Sequence, residues 1–172
     1  MNLLLILLLS FNQSNHSIET PTVFSEDLPN KISSLPIGIV VKHNHRKVYA
    51  EIDSITPERG GRIKWKYKTT VSSIKDSLKI IEFGACVFNN GKWIEQTIYE
   101  RPFNNKEFAE WYNCPDGILI DKEKYSDNNN WTSSSEIGFV SSKSLWYYIG
   151  EDKNKKKYVG YSSIITLANL KE

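Results

Sequence analysis

SLKIIEFGACVFNNGKWIEQTIY, residues 77–99, sets the fold class. A twelve-residue stretch rich in Ile, Val and Phe runs into Asn-Asn-Gly and is answered by a second run in which apolar and polar residues alternate. Asn and Gly tolerate the positive φ that a tight hairpin turn needs, so the stretch predicts two antiparallel strands. Outward from it the same pattern recurs. RIKWKYKTTV (62–71) alternates, with Ile63, Trp65, Tyr67, Thr69 and Val71 predicted on a core face and Lys64, Lys66, Lys68 and Thr70 on a wet one. SLWYYIG (144–150) and KYVGYSSIITL (157–167) flank the polar loop EDKNKK and predict a second hairpin. IGIVV (37–41) and KVYAEI (47–52), separated by KHNHR, fit a third. About seven strands with turn signals at close intervals predict a mostly β chain, an antiparallel β-sandwich of Ig-like general architecture.

One helix interrupts the strands. In FNNKEFAEWYNCPDG (103–117), Asn104 is a good N-cap and Glu107, three residues on, reaches back to complete a capping box. Phe103 and Phe108 occupy the hydrophobic-staple positions. Phe108, Trp111 and Tyr112 share one face, whose simplest use is to cover an end of the sheet core. The helix spans about 104–113 and stops before Pro115, because the residue preceding a proline is pushed toward extended backbone.

The chain has 172 residues, enough for one domain. Its charges nearly cancel, 22 Lys and Arg against 20 Asp and Glu, a net +2. That balance argues against a polyanion, so no nucleic-acid partner is expected. KNKKK (153–157) falls in a predicted hairpin loop and reads as a solvated tip. MNLLLILLLSF has the length of a signal-peptide core and is too short to cross a bilayer, which predicts a signal peptide over 1–17 and an exported product, periplasmic or extracellular. No later stretch reads as a membrane helix, so no stable membrane insertion is expected once the signal is cleaved. Residues 18–36 read as a flexible arm and 37–172 as a single domain.

Two cysteines, Cys86 in the first strand and Cys114 at the helix end, form an even pair in an exported chain and predict a disulfide. Closing that loop contributes roughly 3–4 kcal/mol in the chain-entropy model. Two buried free thiols are the alternative.

The motifs of common catalysts are missing: no GxSxG, P-loop, dinucleotide fingerprint, HExxH or CxxC occurs. His43 and His45 need further ligands before they hold a metal, and Asp121, Glu123 and Asp127 with Asn128–Asn130 lack the order of a calcium loop. No metal or other cofactor is expected. Paired carboxylates would need to face each other across a cleft, and Glu82 is the sole acid within a strongly apolar strand. NQS, NHS and NWT match the N-glycosylation triplet.

Aromatic residues make up 12% of the chain, and some flank polar loops: Trp93 beside the hairpin turn, Trp131 after SDNNN, and Tyr147 in an aromatic strand. Rings beside Asn and Asp suit a saccharide surface or a protein interface. One stacked sugar contributes only about 1 kcal/mol by analogy with aromatic pairs, which favours a protein partner over an extracellular glycan. The expected function is a non-catalytic binding or interaction module with Trp93, Trp131 and Tyr147 as its contact residues; the alternative is a small hydrolase of an envelope polymer. The series EFGA, GKW, EFAEWYNCPDG, NNW, LWYYIG and YVGY, between Glu82 and Tyr161, resembles small exported β-sandwich proteins of Bacteroidota with no assigned function. The resemblance implies an exported location and a sandwich fold.

Overall fold

The computed structural model describes residues 28–54, 62–135, 137 and 141–171. The predicted signal peptide and most of the arm lie outside these residues. The chain is mostly β. Its described strands are β1 (Ile39–His43), β2 (Lys47–Ile52), β3 (Ile63–Ser73), β4 (Ser77–Asn89), β5 (Lys92–Gln96), β6 (Phe103–Asn104), β7 (Ile118–Ile120), β8 (Lys124–Ser134), β9 (Ser142–Glu151) and β10 (Lys157–Leu170). Two short helices accompany them, α1 (Asn30–Ser33) and α2 (Asn105–Trp111), and a single 3-10 turn follows at Pro115–Gly117.

The strands join into one sheet of order β1-β3-β2-β10-β9-β4-β5, with β6 and β7 on β4 and β8 on β3. Two separate stacked sheets were expected, and the parallel pairing of β2 with β10 is what joins the halves instead. The sheet curls into a half-barrel. Its concave side holds the main core, where Phe83 is the hub: its ring lies 5.1 Å from Phe103, 5.6 Å from Phe108 and 5.6 Å from Tyr148.

The two strongest hairpins form as the sequence predicts. β4 and β5 turn through Asn90 (φ 48°) and Gly91 (φ 78°), so Asn89 faces Lys92 and Phe88 faces Trp93. β9 and β10 pair along ten residues from Glu151–Lys157 to Ser142–Thr166. β1 and β2 do not pair with each other. Both bind β3, β1 at residues 69–73 and β2 at residues 63–64. β3 alternates as expected except at Lys64, which is 4% exposed and ion-paired with buried Asp53.

α2 carries its predicted cap. Asn104 accepts from the backbone of Lys106 and Glu107, and Glu107 accepts from the Asn104 N–H at 2.7 Å. Phe108 and Tyr112 are buried and stack at 4.4 Å. The helix therefore covers the core.

β4 and β9 are buried on their outer face as well. There Ile32, Cys86, Leu145, Tyr147, Ile149 and Val159 form a second cluster, backed by Leu28, Leu35, Trp93 and Tyr161. Residues 28–36, expected to belong to a loose arm, supply the cover: Ile32 of α1 is 1% exposed, and the Pro36 carbonyl accepts from Val159 N–H at 2.9 Å.

That two-sided burial separates the cysteines. Side chains alternate along β4, so Phe83 and Ala85 face the concave core and Cys86 faces the outer cluster, while Cys114 sits in the main core with its thiol 3.3 Å from the Ile118 carbonyl. The expected Cys86–Cys114 disulfide is not formed; both are buried free thiols.

Candidate functional site

The three aromatics singled out from sequence do not make one platform. Tyr147 is 1% exposed, because α1 and its flanks cover the outer face of β9. This corrects its reading as a surface ring. Trp93 is half-buried, edge-on to Phe88 at 5.1 Å, with the Lys143 ammonium 5.5 Å from its ring. Trp93 and Tyr147 meet at the outer cluster. Trp131 stands apart on β8, opposite Lys66 and under the Lys64 ammonium at 5.0 Å.

Around the Tyr147 hydroxyl the structure gathers charges that sequence spacing hid. The hydroxyl lies 2.9 Å from Glu82 and 2.6 Å from Glu95, and Lys31 of α1 bridges both carboxylates at 2.5 and 3.3 Å. One phenolic proton serves one carboxylate at a time, so the lysine supplies the remaining donors. Burial opposes the charge on Lys31, but the bonds and charges of Glu82 and then Glu95 outweigh it and hold its pKa above the ordinary value. Burial, then the two glutamates, push the Tyr147 phenol far up, so it stays protonated. The cluster pins α1 to the sheet. Its two acids share one tethered lysine and one phenolic hydroxyl, an arrangement suited to holding an element in place.

The described nucleophiles are quiet. Burial pushes the Cys86 and Cys114 thiols up to about 11, leaving little thiolate at neutral pH. His43 is pushed down to about 4 by burial. Its Nε2 lies 3.3 Å from the Ser162 carbonyl, which only accepts, so Nε2 carries the proton. Nδ1 then accepts from Thr69 Oγ1 at 3.0 Å, and that oxygen in turn accepts from Asn130 Nδ2 at 2.7 Å. The imidazole is a structural bridge between β1, β3, β8 and β10. His45 is exposed nearby and does not join it. Among the described residues no group of three His, Cys, Asp or Glu is placed to hold a metal ion. Asn130 of the NWT triplet is 4% exposed, so its amide is not open to glycosylation in the folded chain.

Sequence reasoning missed a cavity of about 260 Å³ inside one end of the curl. Its wall is built from Trp65 of β3, Val87 of β4, Gln96 of β5, Thr132, Ser133 and Ser134 of β8, Ser142 and Ser144 of β9, and Thr166, Leu167 and Ala168 of β10. The Trp65 N–H is spent on the Leu167 carbonyl at 2.9 Å, and Thr132 Oγ1 bonds the Tyr67 hydroxyl, which accepts from Trp146 at 2.6 Å. Ser144 is 2% exposed and its Oγ has no hydrogen-bond partner. An unpaired buried hydroxyl costs about 1–3 kcal/mol. The available signal was the pair of serine-rich runs WTSSS (131–135) and SSKS (141–144), close together in the sequence.

β5 ends the strand order, and among the described residues nothing pairs with its outer edge. Ile94 and Ile98 are each 48% exposed and Tyr99 is 53% exposed. Arg101 lies 5.4 Å from the Tyr99 ring and grips Glu107 of α2 through both guanidinium nitrogens at 2.8 and 2.9 Å.

No family model and no curated protein matches the chain. Among solved structures, the chain is similar to the "Putative ApaA Protein from Bordetella pertussis", at 8% identity and a TM-score of 0.46, with 80% of this chain and 98% of that one covered.

Proposed function

We propose that the chain is an exported, non-catalytic binding module that engages a protein partner along the edge at β5. In this reading the curled sheet works as an Ig-like β-sandwich does, its halves facing each other across one core and its open edge left for recognition. The observation that carries the proposal is the unpaired edge of β5 with Ile94, Ile98 and Tyr99 exposed beside it. An edge strand offers a row of backbone donors and acceptors, and proteins usually guard such edges with charge. Lys92 and Glu95 supply some here, yet the apolar residues remain outside. Tyr99 is held by Arg101, itself anchored on α2, which lowers the entropy lost when a partner docks. Strand addition joined by side-chain anchors is a common mode of recognition.

The hydrolase alternative draws no support from Glu82 and Glu95, since Lys31 and Tyr147 occupy both acids. The export and partner readings are tested together by expressing the full chain in its native cells and recovering it from outside the cytoplasm. An Ile94→Asp/Ile98→Asp variant is expected to melt within about 2 °C of the wild type, since exposed positions contribute little stability, and to lose the protein that co-purifies with the wild type. A variant that keeps that protein, or a wild-type chain that remains cytoplasmic, overturns the proposal.

A further inference from the structure

We infer that residues 28–35 are a latched strap: they lift as a unit from the outer face of the sheet while the strands stay paired, and Lys31 is the latch that holds them down. The inference is independent of recognition at the β5 edge, because it concerns the face under α1 and is read at Cys86.

The strap differs from the strands in how it is attached. Its described backbone hydrogen bonds close on itself, from Ile32 N–H and Ser33 N–H to the Pro29 carbonyl at 2.9 and 3.1 Å and from Leu35 N–H to the Ile32 carbonyl at 3.2 Å. Bonding to the sheet begins one residue later. The Pro36 carbonyl accepts from Val159 N–H at 2.9 Å, Gly38 N–H donates to the Val159 carbonyl at 3.0 Å, and the Gly38 carbonyl accepts from Ile74 N–H at 3.0 Å. The hinge therefore lies between Leu35 and Pro36. Among the described residues, the grip on the sheet before that point is made by side chains, and elements attached in this way open at low cost compared with paired strands.

Two kinds of side chain supply the grip. Ile32 is 1% exposed within the outer cluster, with Leu28 and Leu35 packed against it. Lys31 sets its ammonium 2.5 Å from Glu82, 3.3 Å from Glu95 and 3.3 Å from the Tyr147 hydroxyl, 5.4 Å from the centre of the Tyr147 ring. Glu82 comes from β4, Glu95 from β5 and Tyr147 from β9, so one lysine ties the strap to three strands. The side chains of Lys31, Glu82 and Glu95 are 39%, 27% and 39% exposed, so dissolved salt reaches this contact and weakens it. Lifting the strap uncovers Leu145, Tyr147, Ile149 and Val159, with Glu82 and Glu95 released beside them.

Cys86 gives the motion a readout. It belongs to the cluster under the strap; burial and then Glu95 push its thiol up while Lys31 opposes them, which places the sulfur close to the latch. Cys114 lies in the main core, away from this cluster. Both thiols are held at about 11, so a difference in their labelling reports access and not acidity.

The test is alkylation of the purified full chain with iodoacetamide across low urea concentrations, each cysteine being followed by mass spectrometry and global unfolding by circular dichroism. Cys86 is expected to react at least about tenfold faster than Cys114, with a urea dependence well below that of global unfolding, because a lifting strap exposes little surface. Raising the sodium chloride concentration is expected to speed the Cys86 reaction in the wild type, and Lys31→Met to speed it about tenfold. Ile32→Ala loosens the strap without touching the pairing of β5, and is expected to speed Cys86 at least as much. The inference is overturned if Cys86 and Cys114 react together with the urea dependence of global unfolding, or if salt or Lys31→Met leaves the Cys86 rate unchanged. It is overturned equally if Ile32→Ala leaves that rate unchanged, since Cys86 would then be reached by fraying of β5.

Discussion

His43 shows how one side chain binds several elements and leaves a measurable trace. Its folded pKa is about 4 against an ordinary 6.5, because burial disfavours the imidazolium. The unfolded chain therefore takes up a proton as pH falls below 6.5, while the folded chain resists until about 4. Stability contributed by neutral His43 is complete above 6.5 and is lost between 6.5 and 4. The loss amounts to about 3 kcal/mol at the low end. Urea denaturation at pH 7 and pH 4 is expected to show this loss in the wild type and to show it reduced by most of that amount in His43→Asn. Equal losses in both would contradict the role assigned to the ring. Neither the burial nor the partners of His43 were legible in HNH, because Thr69, Asn130 and Ser162 arrive from distant strands.

At the scale of elements, the parts that sequence revealed are those specified locally. The β4–β5 turn rests on Asn90 and Gly91, and α2 on the reciprocal bonds of Asn104 and Glu107. Parts defined by a distant partner were hidden. β8 reads as a polar loop through SDNNN, but it is a strand because β3 offers it a ladder from Lys124–Ser72 to Ser134–Ile63. β1 and β2 look like a hairpin and instead share β3, since alternation fixes a strand's faces and leaves its neighbour open. The cavity was hidden for the same reason, its hydroxyls coming from β8, β9 and β10. One close crossing is decided by a missing side chain: a Cβ on Gly160 would stand 2.3 Å from the Ile39 carbonyl oxygen and 2.6 Å from Ile39 Cβ. The opposing atom is backbone and has little room to yield. Gly160→Ala is expected to destabilise the chain by about 3 kcal/mol in urea denaturation, the upper range for overpacking; a loss under about 1 kcal/mol would mean that β1 and β10 are not held in this approach.

For the whole molecule, the chain builds two apolar clusters on the two faces of one sheet. The first lies within the curl and is capped by α2; the second lies outside and is covered by residues 28–35, locked by Lys31 onto Glu82 and Glu95. Tyr147 and Cys86 belong to the second, which is why a ring expected at the surface is buried and a cysteine expected in a disulfide is free. With those residues withdrawn into the interior, the exposed apolar surface around β5 comes from Ile94, Ile98 and Tyr99. Recognition at that edge is the central claim. It is tested most directly by placing a photoreactive residue singly at Ile94, Ile98 and Tyr99, and at Lys122 and Lys155 as exposed controls, and irradiating cells that express each full chain. The account predicts one discrete cross-linked protein from all three edge positions and from neither control. Cross-links from the controls alone, or none from the edge, would contradict it.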